Sequence, residues 1–328
     1  MRQRALSAPS SRSSSSALLG VFSAILVAAL IWIYYASELR ERVENKLFDL
    51  RTRMAPSLVP TDAVAVVAID EPTVAALGAA PRPEGTPPPP PQGEGPPLDL
   101  DYGAWIRVAK AALASKARAV AVVLPPQVFP YDAPELDLLV EMAKEDPRLV
   151  FGTFDQTIKG RGRDNLPKAL QGAEGKIFRA DITRPFRRDV IRSITVREPN
   201  DLPYLSWYLA RTRDPAAVEE LLAASPTGAV KVELNYVAKS KILQIPAETL
   251  LGSPAEEGAK LEGRIVVIGY TAMRPWNFKA REATYVNSPW QTEADDPSLE
   301  GYSIVTITAM TVANLVERAW LTEAPWIV

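Results

Sequence analysis

The 328-residue chain contains no histidine and no cysteine. Without histidine there is no Ser-His-Asp or Cys-His activation of a nucleophile, no histidine-ligated zinc and no histidine phospho-acceptor. Without cysteine there are no disulfides, thiolate metal sites or thiol catalysis. Any remaining chemistry must run on carboxylates, lysine, serine, threonine or tyrosine, so the expectation is a non-enzyme with no metal and no cofactor. Charge of one sign is also missing. The formal net charge is −2, and no basic stripe interleaved with aromatics marks a nucleic-acid surface. Nucleic acid is not an expected partner.

What the chain does have is globular composition, 47% apolar and 23% charged, and one long uncharged run. Residues 17–36, ALLGVFSAILVAALIWIYYA, have about the length of a membrane-crossing helix. Trp32, Tyr34 and Tyr35 lie at its far end, where aromatic rings favour the membrane–water boundary. The rival reading is a cleaved signal peptide behind Arg2, Arg4 and Arg12, but the apolar core is long and no small-x-small site follows it. Arg40, Arg42, Lys46, Arg51 and Arg53 come after the run, so charge alone leaves its orientation open.

No turn signal separates this run from the next segment. In SELRERVENKLFDLRTRM, residues 37–54, the apolar positions Leu39, Val43, Leu47, Leu50 and Met54 recur every three or four places. That is a helical stripe ringed by charge, ended by Pro56 and Pro60. One reading is a helix packed on the following domain. The other is a coupling helix, with Leu39, Val43, Leu47, Asp49, Leu50 and Arg53 passing displacement between domain and bilayer. Asp49 and Arg53, four apart, can form a surface ion pair worth a few tenths of a kcal/mol.

Five apolar residues beginning VAVVA open the region beyond, followed by Ile69, two acids and Pro72. Residues 64–69 read as a buried strand, and 72–77 as a short helix stopped by Gly78. Residues 81–97 carry nine prolines and predict an exposed polyproline-like loop. A helix then places Trp105, Val108, Ala109, Ala112 and Leu113 on one face. After it come a strand at 119–124, a helix at 136–143 and a strand at 149–154. Residues 176–181 and 190–196 read as two strands joined by an arginine-rich turn, TRPFRRDVIR at 183–192 lying between and into them. Helices at about 203–212 and 215–223 precede a half-exposed strand at 230–234. Residues 264–268 read as another buried strand turning at Gly269, 276–298 as a long loop and 304–315 as a closing helix. Alternating helices and short apolar runs predict an α/β fold, a mostly parallel sheet flanked by helices, with one N-terminal transmembrane helix. The expected organisation is a tail at 1–16, the span at 17–36, the connecting helix at 37–56 and one domain at 57–321. Residues 322–328 look like the approach to a second span.

In this order the pieces resemble the type-two CHASE family, the extracytoplasmic sensory domains of bacterial cyclases, histidine kinases and serine/threonine kinases. The likeness rests on FDLRTR (48–53), VVAIDEPTVAALG (66–78), DYGAWIRVAKAALASKARAVAVV (101–123), KLEGRIVVIGYTA (260–272) and MTVANLVERAWL (310–321). It implies a cytoplasmic tail, a periplasmic domain on the inner membrane and further membrane helices leading to an effector. Two positions depart from the family pattern: Pro125, Pro126 and Gln127 stand where an acid usually follows the strand, and no histidine stands near Thr311. Expected partners are the lipid bilayer, a second copy or an envelope protein, and a cytoplasmic effector domain where the chain continues.

In open parallel sheets ligands bind beyond the carboxyl ends of the strands. Asp70 and Glu71, Gln127, Asp155, and Tyr270 with Thr271 follow four such ends, and are the candidate ligand-binding residues. For Asp70 the competing role is to cap the helix opened by Pro72. A general acid–base pair of Asp70 and Glu71 is disfavoured, since neighbours on a strand point to opposite faces. The arginines of 183–192 form either a solvated turn or an anion site. The functional expectation is a sensory input domain; the alternative is an assembly subunit of an envelope complex with the same fold and no ligand.

Overall fold

The computed structural model describes residues 12–36, 46–47, 59–78, 100–124, 134–153, 173–179, 193–197, 203–225, 227–237, 241–271, 285–286 and 302–320. The chain divides into two units, Met1–Arg51 and Thr52–Val328. In the first, α1 (Arg12–Ala36) is 25 residues long. Its described side chains, residues 20–32, are all exposed, among them Phe22 and Trp32 at 72% each. Among the described residues no helix is long and apolar enough to cross a membrane. Lys46 and Leu47 are helical and exposed. Leu39, Val43, Asp49, Leu50 and Arg53 lie outside the described residues, as do the proline-rich 81–97, the arginines of 183–192 and the terminal 322–328.

The second unit is built on six strands that are apolar through most of their length: β1 (Val64–Ile69), β2 (Ala119–Val123), β3 (Leu149–Thr153), β4 (Ile177–Arg179), β7 (Leu243–Pro246) and β8 (Ile265–Tyr270). They pair in parallel in the order β4-β3-β2-β8-β1-β7. Uninterrupted apolar strands suit a parallel sheet covered on both faces. The two faces differ in residue size, and this decides what packs where. Val67, Ile69, Val122, Leu149, Phe151, Val266 and Ile268 form one core with Trp105, Leu136, Leu139, Leu250 and Leu261. Those partners come from α3 (Tyr102–Ala114), α4 (Pro134–Glu145), α7 (Ala247–Gly252) and α8 (Pro254–Leu261), with α2 (Glu71–Leu77) beside α7.

The opposite face is paved with smaller side chains, Ala68, Ala121, Val123, Gly152 and Gly269 among them. There α5 (Leu205–Arg213) and α9 (Ile304–Val316) lie close, with α6 (Pro215–Ala223) behind them. A Cβ on Gly269 would stand 2.5 Å from Val305 Cγ1, and one on Gly152 would stand 2.7 Å from Leu205 Cδ2. These glycines are close-approach positions for helices. Gly269 was expected at a turn; instead it lies inside β8, which runs on to Tyr270. From Ile304 to Leu315 every residue of α9 is buried, so its three threonines do not make it a strand: burial on all sides overrides a weak local preference.

Three further findings refine the expectations. The strands expected around 176–181 and 190–196 both form, at Ile177–Arg179 and Ser193–Arg197, and belong to different sheets. β4 joins the main sheet, whereas β5 (Ser193–Arg197) pairs antiparallel with β6 (Val230–Glu233) in a separate ribbon. Within the expected loop 276–298, β9 (Tyr285–Val286) pairs with β10 (Tyr302–Ser303). Finally, β7, α7 and α8 form between residues 243 and 261, a region without expected elements; there the strand is only four residues long and at the sheet edge.

Candidate functional site

Strand order brings the candidate positions to one edge. β3, β2, β8 and β1 are consecutive neighbours and all parallel, so their carboxyl ends stand side by side. Asp70 follows β1, and Tyr270 and Thr271 end and follow β8. Gln127 and Asp155 follow β2 and β3 in sequence but lie outside the described residues, as does the side chain of Glu71.

Asp70 is the N-cap of α2: its Oδ1 accepts from the Thr73 amide at 3.0 Å, satisfying a donor that the helix start leaves open. The fully buried Thr73 hydroxyl lies between the Glu248 carboxylate on α7 and the Ala68 carbonyl at 3.4 Å. Cap, threonine and glutamate together fasten α2 to α7. Tyr270 turns toward the larger core. Its ring meets Trp105 edge-on at 5.5 Å, an arrangement aromatic quadrupoles favour, and its hydroxyl accepts from the Leu100 amide at 3.0 Å. The Thr271 amide donates to the Ile69 carbonyl at 2.9 Å, carrying the β8–β1 ladder one residue past the strand.

The edge also holds residues that the sequence did not single out. Thr153, buried at the end of β3, donates toward the Phe178 carbonyl at 3.4 Å. Its register partner is Arg179, only 8% exposed, with its guanidinium 4.9 Å from the Tyr204 ring centre. Phe178 stacks on Tyr208 at 4.1 Å, and burial raises the Tyr208 hydroxyl pKa. A single arginine closing a three-residue apolar strand was the available signal; its burial needed the tertiary context. From the opposite face, the start of α9 reaches the same edge through Val305 against Gly269. Its N-cap Ser303 accepts from the Thr306 amide at 3.2 Å. Thr311 is buried and donates to the Ile307 carbonyl at 2.8 Å.

Chemically the described edge offers the part-exposed carboxylates of Asp70 and Glu248 among hydroxyls and a buried guanidinium. Among the described residues no three carboxylates come close enough to hold a metal ion.

The CHASE2 domain family matches residues 24–328, so the match begins inside α1 and takes in the whole sheet. No curated protein and no solved structure shows significant similarity to the chain. CHASE2 domains are extracellular sensory domains, and the order of strands and helices found here runs through the matched region from end to end. The chain belongs to the CHASE2 family.

Proposed function

We propose that the protein is the membrane-anchored, extracytoplasmic sensory input part of a bacterial signal-transduction protein, and that it is not an enzyme. The observation that carries the reading is α1. Val21, Phe22, Ile25, Leu26, Val27, Leu30, Ile31 and Trp32 are all more than half exposed. A continuous apolar surface of this kind marks contact with another apolar phase, and the uncharged run of 17–36 has the length of a bilayer core. The lipid bilayer is the partner it fits. Residues 37–56 carry displacement between bilayer and domain, a second copy or an envelope protein completes the assembly, and an effector domain follows where the chain continues. Ligand-binding falls to the carboxyl edge around Asp70, Glu71, Gln127, Asp155, Tyr270 and Thr271.

β1 starts at the amino edge of the sheet, and α9 starts at the carboxyl edge and runs back to end near Arg318. Both chain connections therefore leave by one edge, and the candidate ligand edge is opposite. In intact spheroplasts, external protease is expected to digest residues beyond 40 while a tag at the amino end survives. Protection of the sheet unit would overturn the topology. No substrate turnover is expected, and a turnover lost in Asp70→Asn and Glu71→Gln would overturn the non-enzyme reading.

A second reading, an envelope assembly subunit without a ligand, is favoured by one feature: Asp70, Tyr270 and Thr311 each spend hydrogen bonds on the protein itself. A stable envelope complex, with no melting shift across a metabolite panel, would select it.

A further inference from the structure

The fully buried helix α9 has fastenings at both ends that packing alone does not require. Its 13 residues make about 20 Å of helix, matching the roughly 20 Å of the six-residue strand β8 it crosses. It therefore reaches from the carboxyl edge of the sheet to the amino edge. At the first end its contact is tight: Val305 fits against a glycine because no larger residue leaves room.

Along its length a short strap after β6 grips it. The Asn314 side chain, fully buried, pairs with the backbone of Asn235 as a neighbouring strand would. Its Oδ1 accepts from the Asn235 amide at 2.8 Å, and its Nδ2 donates to the Asn235 carbonyl at 3.1 Å. Asn235 Nδ2 in turn donates to the Ala319 carbonyl at 3.2 Å, beyond the helix end. Two residues on, the Val237 amide donates to Met310 Sδ at 3.4 Å and its carbonyl accepts from the Tyr302 hydroxyl at 2.8 Å.

The exit turn is held under strain. Arg318 sits at φ 52°, the left-handed region where a side chain costs roughly 1–2 kcal/mol relative to its usual conformations. There the Ala319 amide closes back on the Asn314 carbonyl at 2.8 Å, the bond of a Schellman turn that usually has glycine in this place. The Arg318 guanidinium is tied to Glu220 at 2.9 Å, with Asp214 at 3.8 Å. Strained non-glycine residues persist where surrounding contacts over-determine them, as at switch segments.

We propose that α9 is the output rod of the domain: a push at the carboxyl edge, delivered through the β8–α9 contact, emerges as movement of the turn at Glu317–Ala319, with the Asn235–Asn314 clamp as its joint. The proposal rests on the sensory reading for its biological sense, yet its mechanics can be measured without any ligand. A packed helix between two fastenings shifts as a unit rather than deforming continuously.

The absence of cysteine makes the measurement clean. In the full chain in lipid nanodiscs, Glu219→Cys and Glu317→Cys carry spin labels on two exposed positions. Gly269→Ala adds a methyl against Val305 at the far end of α9. The expected result is a shift of about 1–2 Å in the 219–317 distance, the scale of helix displacements at packed contacts, restored in Gly269→Ala/Val305→Ala. An unchanged distance in a folded Gly269→Ala protein would overturn the rod. Asn314→Ala tests the same rod from the other end by hydrogen exchange, whether or not Gly269→Ala folds. Amides of 306–308 should exchange at least tenfold faster, while those of β1 and β8 stay as they were. Acceleration confined to 235–237 and the last turn of α9, or equal acceleration throughout the sheet, would overturn it. None of these results touches the topology test in spheroplasts, so the two readings fail separately.

Discussion

Asp70 shows how one side chain holds a structural and a candidate binding role together. Its Oδ1 is committed to the Thr73 amide, while its second oxygen takes no bond from a described residue. Replacing the carboxylate by a methyl removes the cap, and Asp70→Ala is expected to cost about 1 kcal/mol in urea unfolding. Asp70→Asn keeps a capping oxygen and should stay within a few tenths of wild type. The pair separates the two roles: a ligand response lost in Asp70→Asn, at unchanged stability, assigns the second oxygen to binding. Thr308, by comparison, shows that not every buried polar atom is explained. Its hydroxyl is buried with no hydrogen-bond partner among the described residues, and the structure gives no reason for it.

Turns between elements at the amino edge are stitched by cations that meet carbonyls. Arg118 donates to the Thr212 carbonyl at 2.8 Å, Arg213 to Gly263 at 3.2 Å, Lys176 to Pro147 at 2.8 Å and Arg264 to Asp62 at 2.7 Å. The Thr212 carbonyl lies in the last turn of α5, where a cation also meets the negative end of the helix dipole. In the α4–β3 turn, Arg148 grips Asp146 through Nε at 3.0 Å and a terminal nitrogen at 2.6 Å. Those side-chain hydrogen bonds hold the Asp146 carboxyl below its ordinary pKa, while burial lowers the Lys176 ammonium. A depressed folded pKa adds stability above the unfolded value, about 3.9 for aspartate. That stability disappears as pH falls through the folded value. Asp146→Asn should therefore be less stable than wild type at pH 7, and the gap should shrink as pH falls below the ordinary carboxylate range in urea titrations repeated across pH.

On the scale of the molecule, the two units differ in what they expose. The sheet unit buries its large apolar side chains on both faces, with Leu138 its one strongly exposed large hydrophobic residue among those described. α1 does the reverse. A fragment of residues 57–320 is thus expected to stay in solution without detergent and to unfold cooperatively. The full chain is expected to sediment with membranes and to need detergent for extraction. Aggregation of the fragment in buffer, with loss of its cooperative transition, is the contrary outcome.

Much of this was readable from the residues themselves. β1, β2, β3 and β8 were legible because unbroken apolar runs have few alternatives to a doubly covered strand. α3 was legible because Trp105, Val108, Ala109 and Ala112 keep a helical period. Asp70 before Pro72 announced its cap. The edge strand β7 escaped, since four half-buried residues ending in proline carry no periodic signal, and α7 and α8 escaped with it. Local sequence determined most of the strands and helices, the absence of histidine and cysteine chemistry, and one long apolar run. Only the tertiary structure decided that β8 enters between β1 and β2, that Gly269 serves a helix rather than a turn, and that Arg179 is buried. Those facts depend on which distant residues meet, and contact across the chain leaves no periodic mark along it.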